Sequence, residues 1–332
     1  MKFLLNKVFF RIKVYMNKIN NYFPVNILLP NASQLFEILC DKYELTHNFN
    51  NGLSKRLKIV CTDDVISDIA QIEEHYDNEN IKYYQITVWD NYCQFLWTIC
   101  YSSMVYMDEL IIKPFLAPNA DRDDILLEKA TKLFEAGMSL FNSDSICRVN
   151  RSVFFELPNP IEDQDDEYVK SANLLFGASL CFILFHEYHH FNLGHMDKEH
   201  VKNDEVEADY CAFFSMYGEL SLEKRKYLSL GCIIALASLL FADNTLDGGT
   251  HPDPDDRLGR ILNNMDDLDE HGKDYSYGIA TTVYKMWAYY YELEKVVPKV
   301  DRAENYKEYF NIIQKAFNDY KKSNFTHPTH QS

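Results

Sequence analysis

Two apolar runs constrain this chain most. Leu174–Phe185 and Leu228–Ala242 are too apolar to lie on a surface. Both fall short of the roughly 18–20 residues a bilayer crossing needs, so they read as buried core helices. The first runs without a break into His186-Glu187-Tyr188-His189-His190. Imidazoles and a carboxylate at the end of a buried helix are costly unless a metal or polar partners satisfy them. On a helix, the first and last residues of H-E-x-x-H lie one turn apart on nearly the same face. His186 and His190 can then both reach one Zn²⁺ at about 2.0–2.1 Å. Glu187, rotated by about 100°, is too far round to join them. It is placed to serve a water in the open coordination position, whose pKa the metal draws toward about 7, and to take its proton as general base. The competing reading of the five residues is a solvated polar helix end.

Catalytic zinc takes three protein ligands. A metzincin would carry Gly and His at the third and sixth positions after His190, where this chain has Leu193 and Met196. His195 falls one residue short of that slot, and Gly194 reads as a helix stop, so His189 and His195 drop out as ligands. The segment Glu205-Val206-Glu207-Ala208-Asp209 offers a better third ligand. Glu205 and Asp209 share a helix face. Glu205 completes a His₂Glu set, and Asp209 can hold the distal ring nitrogen of a ligating histidine. Ala208 lets two helices approach, and Glu207 points away to solvent. An acidic surface helix is the alternative for this segment. A third element, Thr250-His251-Pro252-Asp253-Pro254-Asp255-Asp256-Arg257-Leu258, follows a Gly248-Gly249 turn, with prolines that stiffen the loop and start a helix. His251 either donates to a tetrahedral oxyanion or belongs to a plain capping loop; spacing leaves the two readings level. Arg257 is expected to pair with a carboxylate near the metal.

The order H-E-x-x-H, then E-x-x-A-D, then a Thr-His-Pro loop leading to Arg resembles the gluzincin peptidases of the CAAX prenyl protease and HtpX type. Those are membrane-embedded. The phage-exclusion peptidase family of Lit is more similar, strongly from about Ala172 to Leu262 and weakly over Gln85–Met107; residues 1–55 and 120–165 show no clear match. The resemblance implies a latent protease of the bacterial cytosol, set off when a phage product meets elongation factor Tu, which it then cleaves to abort infection. It implies His186 and His190 as zinc ligands and Glu187 as the base. Glu205, Asp209 and His251 match the other two motifs. A housekeeping cytosolic gluzincin without a phage role, and a metal-stabilised binding protein without turnover, are the competing readings.

The rest of the chain bounds its setting. Lys and Arg total 33 against 50 Asp and Glu, a formal charge of −17 that would repel a phosphate backbone, so nucleic acid is not expected as a partner. The eight cysteines form no C-x-x-C pair, and several lie in apolar runs, which fits free thiols in a reducing cytosol. Lys7, Arg11 and Lys13 interrupt Met1–Tyr15, which is therefore no signal peptide. It reads as a packed terminal helix, with peripheral contact to the inner membrane as the alternative. No integral span is expected.

The fold expected is α+β, predominantly helical and zincin-like (gluzincin), with a small N-terminal sheet. Strands are read at Leu57–Thr62 and Lys82–Trp89, with a short helix around Val65–Glu74 between them. Arg151–Glu156 is a further candidate strand, placed to pair with extended substrate at the cleft edge. A buried helix is read over Asp90–Met107 and an amphipathic one over Asp123–Phe141. Further helices are read over Val169–Phe191, Asp204–Tyr217, Leu222–Ala242, Arg257–Met265, Ile279–Val296 and Asp301–Lys322. The organisation expected is 1–165 for substrate recognition and cleft wall, 166–300 for the helical zinc peptidase core, and 301–332 for a C-terminal helix and tail.

Overall fold

The computed structural model describes residues 25–42, 45, 57–62, 69–117, 119–142, 156–196, 201–218, 220–242, 245–249, 251–265, 268–298 and 305–325. The basic segment Met1–Tyr15 and residues 151–155 of the candidate edge strand lie outside these; Glu156 is in a turn.

The described residues are mainly helical with one three-stranded sheet. In chain order the elements are α1 (Leu29–Lys42), β1 (Leu57–Thr62), β2 (Ala70–Tyr76), β3 (Lys82–Trp89), α2 (Asp90–Met107), α3 (Asp124–Phe141), α4 (Glu167–Asn192), α5 (Lys202–Tyr217), α6 (Leu222–Ser238), α7 (Pro254–Asn263), α8 (Glu270–Tyr290) and α9 (Tyr306–Phe325). The sheet order is β1-β3-β2, with β1 parallel and β2 antiparallel to β3.

Of the short helix expected around Val65–Glu74, residues 65–68 lie outside the described residues, and 70–74 form part of β2 instead. Ile72 is its one buried residue and pairs with Ile86. The hairpin is closed by Asp77, whose Oδ1 accepts from the amides of Glu79 and Ile81 at 2.9 and 2.8 Å, while Asn80 takes a left-handed φ of 59°. Pairing with β3, rather than local propensity, decides this segment.

β3 passes directly into α2, which is buried almost all round, as an apolar helix at the centre of a bundle must be. α2 and α6 flank α4. Trp97 of α2 donates to Asn173 of α4 at 2.7 Å. On the α6 side the approach is close: a Cβ on Gly231 would lie 2.5 Å from the Ala178 Cβ and 2.8 Å from the Ala178 carbonyl carbon. α1 had no counterpart in the sequence reading. It lays Ala32, Phe36, Leu39 and Cys40 on the core, with the Phe36 ring 4.6 Å from that of Phe185. Buried residues from Val25 to Phe317 form one continuous core.

Three helical stretches, Asp90–Ile112, Glu167–Asn192 and Leu222–Ala242, are long and apolar enough to cross a membrane, and 67–72% of each apolar window is buried inside the molecule. The shortness of the apolar runs therefore does not carry over to the folded elements. α4 extends its run with Glu167–Asn173 before it and His186–Asn192 after it, and α6 begins six residues before its run.

Candidate metal centre

α4 starts where the Asp166 carboxylate accepts the amides of Tyr168 and Val169 at 2.8 and 3.0 Å. It ends at Gly194, with φ 72°. Between these stops, the helical repeat sets His186 and His190 on one face, and their Nε2 atoms come 3.1 Å apart. α5 crosses at this point. Ala208 and Ala212 are fully buried there and keep the two helices close.

The buried carboxylate of Glu205 reaches in from α5: Oε2 lies 3.3 Å from His186 Nε2 and Oε1 lies 3.3 Å from His190 Nε2. One donor atom each from His186, His190 and Glu205 lie within 4.8 Å of one another, as a metal site requires. One turn on, Asp209 Oδ1 stands 3.0 Å from His186 Nδ1. Arg257, buried on α7, holds Asp209 through two bonds of 2.7 Å, Nε to Oδ2 and Nη2 to Oδ1. Its Nη1 lies 3.7 Å from Glu205 Oε2.

The loop before α7 closes where the His251 amide donates to the Gly248 carbonyl at 2.8 Å. It puts His251 Nδ1 3.1 Å from Glu205 Oε2 while leaving the ring 54% exposed. His251 is thus the cluster's residue on the solvent side; Thr250 lies outside the described residues. The far end of that loop is fixed by α9. Lys321 Nζ lies 2.9 Å from Asp253 Oδ2 and 2.8 Å from Asp255 Oδ1. Glu187 is half-buried, and its charge, with those of Asp209 and Glu205, holds the Arg257 guanidinium charged against burial.

The electrostatics follow from packing charges together away from water. Burial pushes Glu205 up, but hydrogen bonds to His186, His190 and His251 outweigh it and hold the carboxyl well below the usual range. Asp209 is likewise held low, against burial, mainly by the Arg257 charge. Burial lowers His186, but Asp209 and Glu205 reverse this and raise it to about 9. His189 faces the other way. Its Nε2 lies 2.8 Å from Ser215 Oγ on α5, and burial with the neighbouring imidazoles lowers it to about 4.

The structure brings together His186, His190, Glu205, Asp209, His251 and Arg257, with the Glu187 charge acting on Arg257. It also adds two that the sequence reading set aside. His195 is buried with its Nδ1 3.2 Å from His190 Nδ1, and its Nε2 is 3.4 Å from Oε2 of Glu207, whose side chain is exposed as expected. The readable signal was Gly194, because a left-handed stop returns the next residue over the last turn.

The donor set fits zinc. Two imidazoles and a carboxylate are one of the ligand sets of catalytic sites, and bonds of about 2.0–2.1 Å at tetrahedral angles place ligand atoms about 3.3–3.4 Å apart. The separations here are 3.1, 3.3 and 3.3 Å.

No curated protein and no solved structure matches the chain. The family described as Peptidase U49 matches residues 86–280, more than half of the chain and a span that contains α4, α5, the His251 loop and Arg257. The chain belongs to the Peptidase U49 family, and is a peptidase acting on protein.

Proposed function

We propose that this peptidase is a zinc-dependent endopeptidase of the zincin (gluzincin) kind, latent in the bacterial cytosol and acting in phage exclusion by cleaving a host translation factor such as elongation factor Tu. The observation that carries the metal assignment is the spacing of the His186, His190 and Glu205 donor atoms, 3.1–3.3 Å. The substrate and trigger rest on the resemblance to the Lit family.

Zinc, when bound, would be held by those three residues and would supply Lewis-acid polarisation of the scissile carbonyl and acidification of the attacking water. This chain's residues do the rest. Glu187, beside His186 on α4, accepts the proton of the attacking water and passes it to the leaving amine. Asp209 orients His186 from its Nδ1 side, and Arg257 fixes Asp209. His251, half in solvent at the edge of the cluster, donates to the oxyanion as the carbonyl becomes tetrahedral. Residues 1–165 contribute the cleft wall and substrate recognition. Within them, β2 lies at one edge of the sheet, and β3 packs Tyr84 against Phe191 with ring centroids 4.2 Å apart, next to His190.

The test compares wild type with Glu187→Gln. Purified wild type should bind about one Zn²⁺ per chain, and the variant should keep the metal. Cleavage by the variant in infected cells should fall by about 10²–10⁴-fold, the share of a general base. Cells making either form are then infected and their proteins compared for new termini. Cleavage of elongation factor Tu in infected wild-type cells alone supports the full reading. Cleavage without infection points instead to a housekeeping protease. A Glu187→Gln variant with full activity, or a wild type without zinc, ends the proposal.

A further inference from the structure

The end of α4 closes in a particular way. The His195 amide donates to the His190 carbonyl at 2.9 Å, and the Gly194 amide donates to the Phe191 carbonyl at 3.1 Å. This double closure, with Gly194 left-handed between the two bonds, is the Schellman motif. The motif returns the side chain after the glycine onto the residue five places earlier, a contact that is commonly apolar. Here both partners are imidazoles, with Nδ1 facing Nδ1 at 3.2 Å. His195 is 3% exposed. Its other nitrogen faces two carboxylates of α5, Glu207 Oε2 at 3.4 Å and Asp204 Oδ1 at 3.7 Å.

We propose that His195 is a positioning residue for His190: it accepts the Nδ1 proton of that imidazole and so fixes its tautomer and ring plane for coordination through Nε2. The inference rests on the zinc reading given above. A neutral imidazole that ligates through Nε2 keeps its proton on Nδ1. For His190 that proton points at His195 Nδ1, which must therefore offer a lone pair. His195 then carries its own proton on Nε2, directed at Glu207 and Asp204. No proton is gained or lost along this line; the His190 N–H points at one nitrogen, and the His195 N–H at the carboxylates of α5.

The two ligating histidines are thus supported differently. His186 meets a carboxylate directly, at Asp209. His190 meets a carboxylate through a second imidazole. α5 supplies the acid in both cases, together with the ligand Glu205, so one helix sets the orientation of both histidines. Gly194 enables this, since a residue with a Cβ resists the left-handed φ of 72°.

The test reads metal affinity and tautomer rather than turnover. Full-length protein is stripped of metal and titrated with zinc against a chromophoric chelator. His195→Ala should lose about 10–100-fold in affinity, the usual cost of removing a group that orients a ligand. His195→Asn, whose amide oxygen occupies the place of Nδ1, should recover most of it. His195→Gln, whose amide reaches toward the place of Nε2, should not. If His195→Ala fails to fold, as judged by circular dichroism, the Asn and Gln variants carry the comparison. Two-bond nitrogen–proton spectra of the zinc-loaded wild type should show His195 protonated on Nε2 and His190 on Nδ1. Wild-type affinity in His195→Ala, no difference between the Asn and Gln variants, or a proton on His195 Nδ1 overturns this proposal while leaving the zinc reading in place. Failure of the wild type to bind zinc sinks both.

Discussion

Arg257 and Asp209, 48 positions apart, meet inside the protein through two bonds of 2.7 Å each. The fork geometry matters here. A guanidinium meets both oxygens of a carboxylate at once, which an ammonium cannot do. Arg257→Ala strands a buried carboxylate, and such breaks cost about 3–5 kcal/mol. Urea denaturation of the metal-free protein should show a loss of that size. Arg257→Lys should recover less than half of it. Recovery to wild-type stability in the lysine variant would refute the assignment.

His251 should separate catalysis from metal binding. Its ring is 54% exposed and touches Glu205 from the solvent side. His251→Ala should keep its zinc and its melting temperature. It should lose about 10²–10³-fold in kcat, the range seen when an oxyanion donor is removed. Zinc content by mass spectrometry and kcat on one protein substrate check this together; a kcat within a factor of three of wild type rules out the oxyanion role.

Gly231→Ala tests the approach of α6 to α4. The added methyl would meet the Ala178 side chain and backbone at 2.5–2.8 Å, and backbone cannot step aside as a side-chain tip can. Overpacking of this sort costs about 1–3 kcal/mol, more than the helix propensity gained by replacing glycine. A thermal melt above the wild type's would contradict it.

Asp255 gives the fold a pH dependence of unusual sign. Burial raises its pKa from 3.8 to about 6, against the pull of Lys321. A raised folded-state value means the folded protein holds this proton more tightly than the unfolded chain. The stabilisation is complete below about pH 4 and is lost as pH rises through about 6, by on the order of 3 kcal/mol. Asp255→Asn, permanently uncharged, should lack this trend. The stability of wild type relative to the variant should therefore fall between pH 4 and 7 in urea titrations. A constant difference across that range would rule it out.

What could be read beforehand follows from how local each signal was. His186 with His190, and Glu205 with Asp209, are repeats of four within single helices, so each pair's shared face was legible. That the two faces meet was legible through chemistry, because buried imidazoles and carboxylates need each other. α2 was legible from end to end because nothing in it breaks an apolar helix. β2 was not, because its Ile72 is the one buried residue in a strand with exposed glutamates. α8 was read as starting at Ile279 because Gly272 and Gly278 weaken the helical signal; it starts at Glu270, where the Asp269 carboxylate accepts the Gly272 amide at 2.8 Å. His195 is expected just past the helix stop at Gly194, and there it lies. Its partner was hidden because that contact depends on the backbone turning left-handed at Gly194.

The grip of Lys321 on Asp253 and Asp255 spans 68 and 66 positions and joins the His251 loop to α9. During synthesis, those acids leave the ribosome well before their lysine does. A nascent chain with α9 still in the exit tunnel lacks the anchor of that loop, although His186, His190 and Glu205 are already outside. Fixing of the solvent-side wall is therefore tied to the emergence and docking of α9.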